Sequence, residues 1–530
     1  MGQTPSTEMH HWADMTADRI IKQKGDKDLY VLASGITPSG VVHFGNFREV
    51  ITVDLVARGL RARGKKVRFL FSWDDYDTFR KVPANLPKQD MLKEYLFQPI
   101  VDTPDPHGEA ESYAAYHEKS FEAQLKKVGV AVEPLYQAQK YRSGEYKDQM
   151  LHALKNAPRI REILNKHRTE PLPESWLPIS IYCEKHKTDE VENIRFDGVS
   201  KLKYTHSATG YEGEIDLMTT SKAKLPWRID WPMRWAYEKV DFEPGGKDHS
   251  SQGGSYTTAK EIVEIFDWKS PVYLQYDFVS IKGAGGKMSS SKGNLITVND
   301  VLDIYEPEMV RWIFASYKTN IDFSISFDLD VIKTYEDFDR NERLAYGLEE
   351  GNEKKIAVAK RVYELSQIDA MPEAMPFQPS FRHLCNILQI HRGDLSQARA
   401  AYQAEIKNPR DERRFAERSE RALFWLNNYA PEEFKFELNE KAPSQTLTAA
   451  QAKFLASLSQ TLKTSGAHLE SDKGLHEKMY ELIHAAELEP NDVFPLLYQI
   501  LISKEKGPKL AGFILTIGAK KTAELVDQLL

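Results

Sequence analysis

The stretch from Leu29 to Trp73 admits few folds. Leu29–Ser34 (LYVLAS) is a compact apolar run of the kind that forms a strand buried on both faces. It breaks at the Gly/Pro turn GITPSG. From Phe44 to Arg63 the apolar residues Phe47, Val50, Ile51, Leu55, Val56 and Leu60 recur at helical spacing, and Gly64 closes the helix. Val67–Trp73 (VRFLFSW) reads as a second strand. Strand, glycine turn, helix and strand in so short a span make one βαβ unit, the seed of a doubly wound parallel sheet. We therefore expect an α/β, Rossmann-like domain.

The rest of the 530 residues divides by texture. Residues 1–80 form the first half of the nucleotide-binding domain, and 81–225, with Pro-rich turns and polar helices, an insertion. Residues 226–300 carry the second half, with strand-like runs at Val272–Leu274 and Phe278–Ile281. Residues 301–345 read as a linking stem and 346–530 as an all-helical region. Two cysteines exclude a disulfide scaffold, and no apolar run approaches the length of a membrane helix. The N-terminus lacks a secretory apolar region. These features predict a cytoplasmic protein without membrane attachment. The net charge of −7 argues against a basic architectural nucleic-acid binder, but not against an enzyme that grips nucleic acid through a local patch.

Two segments carry chemistry. Thr37–Asn46 (TPSGVVHFGN) sits where the first strand hands over to the helix, whose N-terminal amides suit phosphate. Gly40 and Gly45 permit close approach of a nucleotide. His43 and Asn46, three apart, share one face of the first turn and can donate to phosphate. Gly283–Asn294 (GAGGKMSSSKGN) sets Lys287 and Lys292 in a glycine-flanked loop with Ser289, Ser290 and Ser291, able to follow the charge of a departing pyrophosphate. In isolation each segment also reads as an ordinary turn or a solvated loop.

Together they are specific. HFGN resembles the HIGH signature, and KMSSS the KMSKS signature, of class I aminoacyl-tRNA synthetases. Asn46 replaces the last His and Ser290 the second Lys, with Lys292 two residues beyond. The runs RFLFSWDDYDTFRKVPAN, LPWRIDWPMRW, GGKDHSSQGG and SFDLDVIKTYEDFDR narrow the resemblance to class I lysyl-tRNA synthetases across most of residues 28–345.

The resemblance implies activation of L-lysine by ATP, with Mg²⁺, to lysyl-adenylate, then transfer to the 3′ end of tRNA(Lys). It implies ATP contacts from Pro38, Ser39, Gly40, His43, Gly45, Asn46, Gly245, Gly246, Asp248, Lys287, Met288, Ser289, Ser290 and Ser291. His43, Asn46, Lys287 and Lys292 are the expected catalytic residues. Gly35, Thr37, Trp227, His249 and Tyr276 are expected around lysine. Asp74 and Asp75, at the C-terminal end of the second strand, are the carboxylates expected to meet its ammonium, or else they cap a turn or orient Arg80. Related sequences carry a zinc knuckle where this chain has Cys183, His186, His206 and Thr209. Three ligands make a poor structural zinc site, so we expect no metal in this remnant. The resemblance further implies anticodon binding by the helical region, where Arg410, Arg413, Arg414, Arg418 and Arg421 lie amid nearly equal acid. The alternatives are another class I synthetase, glutamyl or arginyl, or a non-catalytic RNA-binding paralogue.

Overall fold

The computed structural model describes residues 11–84, 86–251, 253–283 and 295–530. Two compact units emerge. One comprises the residues up to Ile325 together with Asn341–Met371, the other Ser326–Arg340 together with Pro372–Leu530.

The first unit is built on a five-stranded sheet. Its strands are β1 (Leu29–Ile36), β2 (Lys66–Trp73), β3 (Glu133–Tyr136), β4 (Phe242–Gly246) and β5 (Val272–Tyr276). All pair in parallel, in the order β5-β4-β1-β2-β3. This is the doubly wound arrangement expected, and both early strands run slightly longer than their apolar cores. The order reverses between β1 and β4, so the chain parts there and leaves a crevice at the strands' C-terminal ends. The register sets Gly35 beside Ser72 and Tyr276 beside Gly246 at that edge.

Helices α1 (Trp12–Lys24) and α2 (Phe44–Arg61) pack on each other, and α2 covers the sheet. Helix α2 ends at a turn whose Gly64 takes φ +73°, a left-handed value that glycine adopts without strain. Tyr113–Lys127 forms α3 and Trp227–Glu238 forms α4. The segment 81–225, expected as an insertion between the two halves, also contributes to the main sheet. Its strand β3 adds an edge to the main sheet, and only residues further on form a distinct three-stranded antiparallel ribbon, Val191–Phe196, Lys201–His206 and Glu212–Asp216.

The expected boundary at 345 also moves. Helix α5 (Pro307–Ser316) packs against α6 (Glu353–Ser366), inside the first unit. Arg361 on α6 donates to both oxygens of the buried Asp14 at 2.8 Å. The fully buried Arg311 reaches Asp54 at 2.5 Å and the Leu365 carbonyl at 3.1 Å. These contacts make 346–371 part of the first unit rather than of the helical region.

The second unit is helical, as expected. Its members include α7 (Phe381–Ile390), α8 (Asp472–Ala485), α9 (Pro490–Ile502) and α10 (Leu510–Ile517) around an aliphatic core containing Leu458, Leu497, Leu501 and Ile514. Arg418 belongs to its interior. It is fully buried and pairs with Asp339 at 3.0 Å. Among the described residues no helix is long and apolar enough to cross a membrane.

Candidate active site

The crevice at the strand ends opens into a cavity of about 620 Å³. Of the residues expected from sequence, it brings together Gly35, Thr37, His43, Gly45, Asn46, Asp74, Trp227, Gly246, Asp248, His249 and Tyr276. Ser39 instead lines an adjoining cavity of about 560 Å³, which shares Thr37, Asp77 and Trp227 with the first. Pro38, Gly40 and Gly245 line neither of these two cavities. A Cβ on Gly245 would lie 2.1 Å from the Tyr273 hydroxyl, so this glycine makes room for a neighbouring side chain. Lys287, Met288, Ser289, Ser290, Ser291 and Lys292 lie outside the described residues.

At the N-terminus of α2 the signature residues cap the helix reciprocally. The Asn46 amide donates to His43 Nδ1 at 3.3 Å, and the His43 amide donates to Asn46 Oδ1 at 3.1 Å. The pairing fixes chemistry as well as geometry. With Nδ1 accepting, the neutral ring carries its proton on Nε2. With Oδ1 occupied, Asn46 keeps its NH₂ group as a donor. A Cβ on Gly45 would lie 2.9 Å from the His43 ring, so a side chain there would displace the imidazole. Asparagine in place of the second histidine of the signature thus retains a donor and closes the cap.

Four carboxylates line the cavity, Glu49, Asp74, Asp77 and Asp248, and no Lys or Arg does so among the described residues. Asp74 is held by Arg234 at 2.7 Å, and Asp77 is paired with Lys224 and accepts from Thr37. Asp75 turns away. Its carboxylate accepts from the Ala138 amide at 2.7 Å and caps the entry to the helix after β3. Arg80 pairs with Asp189 at 2.7 Å rather than with either aspartate. Trp227 stacks on Trp231 at 5.1 Å, with the Arg234 guanidinium 5.4 Å from its ring centre.

Glu49 was not among the expected residues. It lies three residues beyond Asn46 on α2, and its oxygens accept from the Gly35 amide at 3.0 Å and the Tyr276 hydroxyl at 2.7 Å. Among the described residues no cation pairs with it. Burial pushes its pKa up to about 8, against the lowering effect of those two hydrogen bonds. The available signal was a lone carboxylate on the face of α2 that carries His43 and Asn46.

The knuckle remnant does converge. The His186 and His206 rings stack with centroids 4.3 Å apart. The Thr209 hydroxyl lies 2.9 Å from His206 Nδ1 and 3.1 Å from His186 Nε2. Cys183 Sγ accepts from the His186 amide at 3.5 Å. The hydroxyl bridges two imidazoles where a fourth ligand would stand, and a neutral threonine completes no closed zinc site. Thr209→Cys is expected to supply that ligand. The variant purified untagged should carry one equivalent of zinc by elemental analysis, while the parent chain carries far less; equal zinc in both would defeat this account.

The sequence profile of the family tRNA synthetases class I (K) matches residues 10–369. The chain is 46% identical over 521 residues to a lysine–tRNA ligase of Borrelia garinii subsp. bavariensis, covering 98% of this chain and 99% of that one. It is 45% identical over 522 residues to a lysine–tRNA ligase of Treponema pallidum, covering 98% of each. A lysine–tRNA ligase of Pyrococcus horikoshii is 39% identical over 522 residues, covering 96% of this chain and 98% of its own.

Proposed function

The chain belongs to the tRNA synthetases class I (K), and from that membership we infer that it is a lysine–tRNA ligase, joining L-lysine to tRNA(Lys) with ATP as the energy source. The observation that carries the reading is the sign of the cavity. A glutamate side chain would need a cation opposite its carboxylate, and the described lining offers four carboxylates and no Lys or Arg. Lysine brings two ammonium groups, and Glu49, which pairs with no cation among the described residues, is the carboxylate that can meet one of them.

In this reading lysine lies between Gly35, Thr37, Trp227, His249 and Tyr276, with one ammonium on Glu49. Asp74 acts through Arg234 to hold the wall rather than as the direct partner. ATP enters as its magnesium complex, with its phosphates toward the α2 N-terminus. His43 Nε2–H and the Asn46 side-chain NH₂ donate to them, and Gly246 and Asp248 hold the adenosine side. The lysine carboxylate attacks the α-phosphorus and pyrophosphate departs. We assign Lys287 and Lys292 to its charge, because the described lining has no Lys or Arg to meet it. A ribose hydroxyl of the terminal tRNA adenosine then attacks the lysyl carbonyl of the adenylate and AMP departs as the anhydride bond breaks, and the adjoining cavity walled by Thr37, Asp77 and Trp227 is our candidate for that adenosine's place. The helical unit binds the anticodon. We place the activity in the cytoplasm, where translation consumes its product.

Pyrophosphate exchange with each amino acid, followed by acylation of unfractionated tRNA, tests the assignment. Exchange with glutamate or arginine but not lysine would replace it with one of the other class I enzymes, and no exchange at all would favour a non-catalytic paralogue.

Glu49 also gives the reaction a pH dependence with a definite sign. In the empty site it is mostly protonated below about pH 8, and an incoming ammonium requires the carboxylate. Lysine affinity should therefore rise with pH toward 8 and fall by up to about tenfold per unit below it. At pH 7 calorimetry in two buffers of different ionisation enthalpy should register close to one proton released per lysine bound. A buffer-independent enthalpy would remove Glu49 as the acceptor.

A further inference from the structure

The helical unit contains a cavity of about 730 Å³ that the adenylate chemistry does not use. It is bounded by α7, residues 433–436, the start of α8 and the loop joining α9 to α10. Its lining carries Arg382, Lys435, Lys504, Lys506 and Lys509 against Glu433 and Asp472, a local excess of cations in a chain of net charge −7. Such a reversal of sign suits a polyanion.

The cations divide by their partners. Lys504 donates to the Glu432 carbonyl at 2.7 Å and to the Lys435 carbonyl, so it ties two loops together. Arg382 pairs with Glu336 at 3.1 Å and Lys435 with Glu432 at 2.9 Å. Lys506 and Lys509, either side of Gly507-Pro508, are exposed, and among the described residues their ammonium groups have no partner. Phe436 and Phe513, edge to face at 5.1 Å, give the cavity an apolar wall. The Asn386 carboxamide also lines it, with no hydrogen-bond partner among the described residues. The Asp472 carboxylate comes so near α10 that a Cβ on Gly512 would lie 2.5 Å from Oδ2. An aromatic wall, a donor and acceptors along the lining and exposed, unpaired cations beside them are what an unstacked nucleotide requires.

We propose that this cavity takes one unpaired nucleotide of the tRNA, with its phosphate at Lys506 and Lys509 and its base edge at Asn386 and Asp472. The proposal rests on the reading that the helical unit binds the anticodon, and it names where.

The test uses the full chain with transcripts of tRNA(Lys), the same transcripts with single anticodon changes, and a minihelix holding only the acceptor stem. The double variant Lys506→Ala/Lys509→Ala should raise the KM for tRNA(Lys) about tenfold and flatten the log–log salt dependence by about two charges. Pyrophosphate exchange and minihelix charging should not change. Asn386→Ala should reduce the preference for the cognate anticodon about tenfold. If the parent enzyme discriminates anticodons and both variants keep its KM and preference, the nucleotide binds elsewhere and the cavity assignment falls while the helical reading stands. If the parent charges altered transcripts and minihelix as well as tRNA(Lys), the anticodon reading itself fails and takes the cavity with it.

Discussion

Glu49→Gln is expected to lower kcat/KM for lysine at least about 30-fold, because truncating one partner of a buried charge pair costs about 2–5 kcal/mol. Glutamine is isosteric and can still accept from the Gly35 amide or the Tyr276 hydroxyl, so the fold of the crevice should hold. The KM for ATP should stay near its parent value, since His43 and Asn46 are fixed by each other rather than by Glu49. The loss should fall on lysine saturation in pyrophosphate exchange. Asp75→Asn should leave lysine saturation unchanged, because that carboxylate caps Ala138 instead of facing the cavity. A Glu49→Gln enzyme with normal lysine kinetics would return the search to Asp74 and His249.

The second large effect concerns where the chain can be cut. A fragment ending at Met371 should retain lysine-dependent pyrophosphate exchange and lose tRNA charging by about 10²–10³-fold, the scale of several lost phosphate contacts. A fragment ending at 345 should not fold stably. It lacks Arg361 and so leaves Asp14 buried with Arg63 as its remaining cation, and it strips α6 from α5. The longer fragment still exposes Tyr335, which stacks on Phe381 at 4.0 Å in the whole chain, so its solubility and circular dichroism must be checked first. Undiminished charging by a folded 1–371 fragment would refute the role given to the helical unit.

The two cuts show what the sequence could convey. The βαβ unit was legible because a buried parallel strand is an unbroken apolar run and α2 keeps its helical period over many residues. Strand β3 was not, since four residues including Pro134 on a sheet edge need no pattern. The spacing of His43 and Asn46 was read as a pair of phosphate donors. The same spacing makes a reciprocal cap, with His43 Nδ1 and Asn46 Oδ1 each accepting from the other residue's backbone. Asp74 and Asp75 stand where ligands meet such sheets, but Asp74 is engaged by Arg234, 160 residues away, a pairing that no local pattern announces. Arg418 shows the converse. It is one of five arginines amid nearly equal acid in the sequence, yet it is a fully buried ion-pair partner.

The clasp between Asp14 and Arg361 bears on how the protein is made. All five strands of the catalytic sheet have been synthesised once Tyr276 is added, but the cation that pairs with the buried Asp14 from α6 is far downstream, beyond a stretch that belongs to the other unit. Translation at about 5–20 residues per second leaves the nascent domain unclasped for several seconds. Until then Asp14 on α1 has only Arg63 as its cation. A ribosome slowed between codons 276 and 361 would lengthen that interval, and the emerging chain is most open there to chaperones and proteases.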